Sequence, residues 1–249
     1  MNRSPCRADR KPWEKFAAAL LAGGFAAILS ACAPLAPQAQ TTTVMTQASQ
    51  QALNPEQALQ KLKDGNGRFM VGAMQPRDLR AQAAATGRNG QYPFASIVSC
   101  IDSRADPALL FDQGIGDLFI ARVAGNVVNP DILGSLEYAS AVAGSKVIVI
   151  LGHTHCGAVK GACDDVALGN LTQLLERLKP AVTATTSAPG ADRSGKNGAF
   201  VDAVAETNVH LTVRQLLAQS PVLKQMVEKG QLKVVGAMLD VETGQVRFE

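Results

Sequence analysis

Cys100, in Cys100-Ile101-Asp102-Ser103-Arg104, and the pair His153 and Cys156, in Gly152-His153-Thr154-His155-Cys156-Gly157, are the residues of this chain best suited to chemistry. Each group directly follows a strongly apolar run. Two thiolates and one imidazole make an open zinc site, with three protein ligands and a fourth position free for water. A structural zinc site closes that position with a fourth Cys or His. The set therefore points to catalysis, because such ligands lower the pKa of a zinc-bound water toward about 7 and supply hydroxide near neutral pH. Asp102, two residues after Cys100, can aim its carboxylate at the same point. There it can accept the water's proton, orient the hydroxide, or occupy the fourth zinc position itself. Arg104, two further on, can hold Asp102 in a bidentate charge-assisted pair. Paired, Asp102 points away from the metal; unpaired, it can ligate it, so the two residues can form a gate. Without the Cys and His residues, Asp102-Ser103-Arg104 reads as a surface turn with a helix cap. His155 competes with His153 for the metal, and spacing alone leaves the choice open. His210 lies on an apolar-patterned helix and reads as a packed or surface histidine.

The elements that must position these residues alternate in type. Phe94 to Ile101, Asp117 to Ala124, Lys146 to Leu151 and Leu232 to Leu239 are apolar, β-branched runs, and they read as buried strands. Asn54-Pro55-Glu56 opens a helix that runs to about Lys63, before Gly65. Asn129-Pro130-Asp131 opens another through about Ala143. A third begins at Gly157, and Phe200 to Gln219 is helical until Ser220-Pro221 stops it. Glu242-Thr243-Gly244-Gln245 reads as a turn into a short last strand. Strands alternating with helices predict an α/β fold, with a mainly parallel central sheet flanked by helices on both faces. In such sheets ligands bind beyond the carboxyl ends of the strands. Cys100 ends the first strand and His153 follows the third, so both halves of the site fall at that edge.

The first 31 of the 249 residues read as an export signal. Arg3, Arg7, Arg10, Lys11 and Lys15 precede an uncharged, Ala- and Leu-rich run from Phe16 to Leu29, which is short of the about 20 residues of a membrane span. Leu29-Ser30-Ala31-Cys32 resembles the lipobox of bacterial lipoproteins, which makes Cys32 a lipid-anchor candidate and the location periplasmic. Cleavage after Ala33 is the alternative, but Pro34 disfavours it. The signal holds five of the 24 basic and two of the 21 acidic residues. The rest carries 19 of each and is formally neutral, with no basic patch to suggest nucleic acid. Residues 32–52, rich in Pro, Gln, Thr and Ala, read as a low-complexity linker. Residues 53–249 then form one domain with a sizeable core. Of the five cysteines, Cys6 lies in the signal, and Cys163 reads as a buried thiol. A Cys156–Cys163 disulfide would need distortion, because seven residues of helix rise about 10 Å.

Cys-x-Asp-Ser-Arg, followed about fifty residues on by Gly-His-x-x-Cys-Gly, resembles the β-class carbonic anhydrases. The resemblance covers roughly 53–249. It takes in Gly65-Asn66-x-Arg68-Phe69, Asp117-Leu118-Phe119 with Arg122 and Gly125-Asn126, Ser135-Leu136-Glu137-Tyr138-Ala139, and Val241-x-Thr243-Gly244-x-Val246. It implies one zinc ion per chain on Cys100, His153 and Cys156, which chooses His153 over His155. It implies the Asp102–Arg104 dyad, with Asp102 as fourth ligand in a closed state. The implied reaction is reversible hydration of carbon dioxide to bicarbonate and a proton by zinc-bound hydroxide. Gln91 matches a residue that donates to the substrate oxygen. Phe119, Tyr138 and Ala124 match the walls of a small pocket, and Gly157 matches its floor. Ala124 stands where Val is common, which makes the pocket roomier. Ile97 stands where a subgroup with a second, inhibitory bicarbonate site has Trp, which argues against that inhibition here. The resemblance implies a homodimer or homotetramer with the site at the dimer interface. The competing readings are hydrolysis of carbon disulfide or carbonyl sulfide on the same site, and a non-enzymatic zinc or thiol-redox protein of the cell envelope.

Overall fold

The computed structural model describes residues 41–249. The signal, Cys6, Cys32 and the linker as far as residue 40 lie outside the described residues. Residues 41–52, expected as linker, belong to the fold. The Thr41 N–H donates to the Pro76 carbonyl at 2.9 Å, and its carbonyl accepts from the Asp78 N–H at 3.1 Å. Helix α1 (Gln47–Gln51) starts in a capping box between Thr46 and Ser49. Gln50 is buried, and its Nε2 donates to the Pro93 and Ala143 carbonyls at 2.7 and 2.8 Å. Polar composition suggested a tether, but a buried amide with both donors satisfied is a docking contact.

Helix α2 (Pro55–Met70) is capped by Asn54 and Gln57 and runs past the expected stop at Gly65. Gly65 is a place of close approach: a Cβ there would sit 1.8 Å from the Phe111 carbonyl oxygen. Then follow α3 (Leu79–Asn89), β1 (Ala95–Ser99), α4 (Pro107–Leu110), β2 (Leu118–Arg122) and a tight turn at Ala124–Asn126. Helix α5 (Pro130–Glu137) continues as a wider turn over Tyr138–Val142. Next come β3 (Val147–His153), α6 (Gly157–Cys163), α7 (Gly169–Glu176) and α8 (Lys179–Ala184). The chain closes with α9 (Gly198–Gln219), α10 (Pro221–Glu228), β4 (Lys233–Leu239) and β5 (Val246–Phe248).

The sheet order is β2-β1-β3-β4-β5, parallel except for β5, which runs antiparallel to β4. All seven residues of β3 are buried. On one face Val98, Ile148 and Ile150 pack in a core with Val201, Val204 and Val209 of α9. On the other, Ile97, Val147 and Val149 pack with Leu59 and Leu62 of α2 and with Phe111. Burial on both faces is why these strands read as continuous apolar runs.

One polar cluster holds α2 to the loop after α4. The Asp112 side chain is fully buried and pairs with Arg68 Nε at 2.5 Å and with Arg77 Nη1. Burial pushes its carboxyl up, but the hydrogen bonds from Arg77 and Arg68 outweigh it and leave it below the usual range. Asp112→Asn strands two cations and is expected to cost about 3 kcal/mol in a denaturant titration. A depressed carboxylate stabilises fully above its unfolded pKa and loses that contribution as pH falls through the folded value. The wild-type denaturation midpoint is therefore expected to fall below about pH 4, more steeply than that of the variant.

Candidate metal centre

The parallel strands end on one side of the sheet, where their loops converge. Cys100 follows β1, and His153, expected just after β3, is its last residue. Cys156 stands at the start of α6. The Cys100 and Cys156 sulfurs and a ring nitrogen of His153 lie within 4.8 Å of one another, and all three residues are buried. His153 Nδ1 lies 2.8 Å from the Thr154 carbonyl oxygen and donates to it. That bond fixes the tautomer and turns the Nε2 lone pair toward the two sulfurs. Nε2 is buried and has no hydrogen-bond partner among the described residues.

Two segments prepare the sulfurs. The turn after β2 places the Gly125 N–H 3.4 Å from Cys100 Sγ, with Gly125 in the left-handed region at φ 70°. A Cβ on Gly125 would meet Leu178 at 2.8 Å, so a larger residue would have to displace the Leu178 side chain and hold a strained left-handed backbone. A hydrogen bond from Cys156, with smaller help from the Gly125 N–H and against the opposing effect of burial, draws the Cys100 thiol well below its ordinary value. Cys156, facing that thiolate and buried, is pushed up. The N–H groups of Ala158 and Val159, at the positive end of α6, pull it the other way. Two sulfurs poised around one proton, beside an orphaned imidazole nitrogen, match a soft-to-borderline cation with a place left open, which is the donor chemistry of zinc.

Asp102 is not among the converging atoms. Its Oδ1 accepts from the Arg104 N–H and Nε at 2.9 and 3.0 Å, and its Oδ2 from Arg104 Nη2 at 2.8 Å. Arg104, chiefly through that hydrogen bond, holds the carboxyl well below the usual range. His155 points elsewhere. Its backbone is left-handed at φ 56°, its N–H donates to Asp202 Oδ1 at 2.7 Å, and its ring lies 3.4 Å from Glu242. Ala124 opens the turn that carries Gly125, and exposed Gly157 follows Cys156. Cys100, Cys156 and Cys163 are all free thiols.

Three expected pocket residues are not brought to the cluster within one chain. Gln91 is exposed and precedes β1, so the whole strand, about 16 Å long, separates it from Cys100. Phe119 pairs with Ser96, about 13 Å along the strand from the level of Cys100. Phe119 meets Tyr138 edge to face with centroids 6.5 Å apart, in a groove of about 520 Å³ beside the edge strand β2. The resemblance gives these residues as walls of a site at a dimer interface; within one chain, Gln91 and Phe119 lie toward the opposite end of β1 and β2 from Cys100.

Sequence reasoning also passed over three residues that hold the site's backbone. They are Arg122, treated only as a flank, Asp202 under His155, and Asn208, whose Nδ2 donates to the Gly125 carbonyl at 3.0 Å. No spacing signal marks the last two, since both sit within one long helix. His210 is half-exposed and pairs with Glu249 at 3.2 Å. Glu206, His210 and Glu249 also cluster, but Arg247 bridges the two carboxylates and already supplies their cation.

The carbonic anhydrase family model matches residues 95–246. Carbonic anhydrase 2 of Mycobacterium tuberculosis is 36% identical over 197 residues, covering 77% of this chain and 91% of its own. The carbonic anhydrase of Mycolicibacterium smegmatis is 35% identical over 200 residues, covering 78% and 93%. A β-carbonic anhydrase structure from Aspergillus fumigatus superposes with a TM-score of 0.60 at 29% identity, covering 78% of this chain and 89% of that one. An α/β sheet with an open thiolate–imidazole centre at its strand ends is the architecture of a metal-dependent enzyme. The chain belongs to the carbonic anhydrase family, in its β class. The family is zinc-dependent, and its reaction is the hydration of carbon dioxide.

Proposed function

We propose that the chain hydrates carbon dioxide at one zinc ion held by Cys100 Sγ, His153 Nε2 and Cys156 Sγ, in an oligomer whose neighbouring copies wall each site. The observation that carries the metal is the buried, unpartnered Nε2 of His153 facing two sulfurs. Zinc bound there supplies the Lewis acidity that makes water a nucleophile near neutral pH. The chain's own residues do the rest. Asp102, held by both oxygens on Arg104, keeps an ionised carboxylate beside the centre. It would accept a hydrogen bond from the attacking hydroxide, left when the water gives its proton to solvent buffer, and aim the lone pair at the substrate carbon. Released from Arg104, the same carboxylate could turn to the metal residues and close the site. Ala124 and Gly157 leave room for a three-atom, uncharged substrate, and the neutral balance of the domain offers bicarbonate no trap.

The walls come from a second copy. The edge strand β2 leaves Ile120 41% exposed, and beside it Tyr138 and Val142 are 58% and 73% exposed. An apolar sheet edge of this kind is an association surface. A copy seated on it brings its Gln91, Phe119 and Tyr138 toward its neighbour's metal residues. A β-carbonic anhydrase of Sordaria macrospora, 25% identical with a TM-score of 0.55, is tetrameric, which supports a homodimer or a pair of them. The basic start, the apolar run and Cys32 support a periplasmic enzyme tethered by a lipid at Cys32. Mass spectrometry of the membrane fraction tests this, with a diacylated Cys32 peptide expected.

Stopped-flow assays on one zinc-loaded preparation test the substrate. Hydration of carbon dioxide, with no sulfide released from carbon disulfide, is expected. Sulfide release without carbon dioxide turnover overturns the reading.

A further inference from the structure

Arg122 ends β2, in register with Ser99 at the end of β1. Its guanidinium spans the loop that leaves β1. Nε–H donates to the Cys100 carbonyl at 2.9 Å, and Nη2–H donates to the Asp102 carbonyl at 2.5 Å. Nη1 lies 3.6 Å from Asp106 Oδ2. Asp106 in turn caps α4 through the N–H groups of Ala108 and Leu109. The Asp102 carbonyl also accepts from the Ala105 N–H at 2.9 Å. One planar cation thus grips both ends of Cys100-Ile101-Asp102, and the side chains at those two ends are a metal-facing sulfur and the carboxylate beside it. The Arg122 side chain is 28% exposed, so these charge-assisted bonds are made partly out of water.

We propose that Arg122 is a positioning residue that sets the placement of the Asp102 carboxylate relative to the Cys100 sulfur. It acts through two backbone carbonyls and touches neither metal nor substrate. A rigid fork can hold two carbonyls at a fixed separation; the ammonium of Lys, a point donor on a flexible stem, cannot. The inference rests on the carbonic anhydrase reading above. Strand β2 then serves two sites at once. Its first half carries Phe119 at the exposed edge, and its last residue fixes the loop of its own site.

The test compares full-length wild type with Arg122→Lys and Arg122→Gln, each loaded with zinc and, separately, with cobalt. Metal content, helical signal, kcat and KM for carbon dioxide, and the visible cobalt spectrum are measured. Both variants are expected to hold one metal per chain and keep the wild-type helical signal. Their kcat is expected to fall about 10- to 100-fold, the range for residues that orient metal ligands, with KM within about twofold. The cobalt bands are expected to shift, and Lys to recover only part of the loss. Wild-type kcat and an unshifted cobalt spectrum in both variants overturn the proposal. So does a loss of activity that tracks only lost metal or lost helix. Zinc-loaded wild type without hydration activity counts instead against the carbonic anhydrase reading, and an altered cobalt spectrum in the variants still supports the positioning role.

Discussion

Cys100→Ser is expected to leave the fold intact, to hold far less than one zinc per chain, and to hydrate carbon dioxide more than about 10³-fold more slowly than wild type. The substitution changes one atom in a buried position, so the packing around β1 is kept. What it removes is one of the two sulfurs that would hold the metal as thiolates. The Cys100 sulfur receives the Cys156 S–H and the Gly125 N–H and is drawn toward the thiolate. A serine hydroxyl there stays protonated and is a poor ligand for a borderline-soft cation. Loss of an orienting residue one layer out already costs about 10- to 100-fold in affinity or activity, so loss of a ligand costs more. Elemental analysis, circular dichroism and stopped-flow rates read the three parts separately. Cys163→Ser is the control. Cys163 is a half-buried thiol at the end of α6, pushed up by burial, and its replacement leaves metal and rate unchanged. A Cys100→Ser chain with full zinc and wild-type rate would remove Cys100 from the site.

Mixing two inactive variants is expected to restore activity. Cys100→Ser spoils the metal residues of its own copy but keeps its walls. A Gln91→Ala/Phe119→Ala chain keeps the metal residues and loses the donor and wall it offers a neighbour, which should cost about 100-fold or more. In a two-fold dimer each copy lends the same surface to the other. A hybrid dimer therefore has one site with every residue intact and one with both defects. Equal amounts, exchanged to equilibrium, are expected to reach about a quarter of the wild-type rate, since half the dimers are hybrids with one good site each. A mixture no more active than the sum of its parts would mean that the walls and the metal belong to the same copy. The geometry argues against that, because Phe119 and Gln91 lie a strand's length from Cys100.

The parts of this molecule differ in how plainly the sequence states them. The four parallel strands are legible because the central ones are covered on both faces, so Val147–Leu151 is apolar at every position. The metal residues are legible because strand ends in such a sheet must converge. Whether His153 or His155 ligates was not legible from spacing; the left-handed backbone at His155 turns its ring outward. Helix α3 is polar and Ala-rich with a single buried residue, Gln82, and carries no apolar stripe to read. Helices α7 and α10 have only one fully buried residue each. Gly65 suggested an end to α2, but its missing side chain serves contact with Phe111 rather than a turn. The polar segment 41–52 hid Gln50, whose docking depends on carbonyls 43 and 93 residues away. Phe119 and Tyr138 do meet in one groove, but nothing in the sequence shows that this groove faces outward beside the edge strand β2, away from Cys100 of its own chain.

Titration of the metal-stripped full chain with zinc, followed by stopped-flow hydration of carbon dioxide, decides whether one zinc at Cys100, His153 and Cys156 makes this chain a carbonic anhydrase. The rate is expected to rise in proportion to added zinc, to level at one equivalent per chain, and to be absent throughout in Cys100→Ser. A wild-type chain that turns over without zinc, or binds one equivalent and hydrates no carbon dioxide, would contradict it.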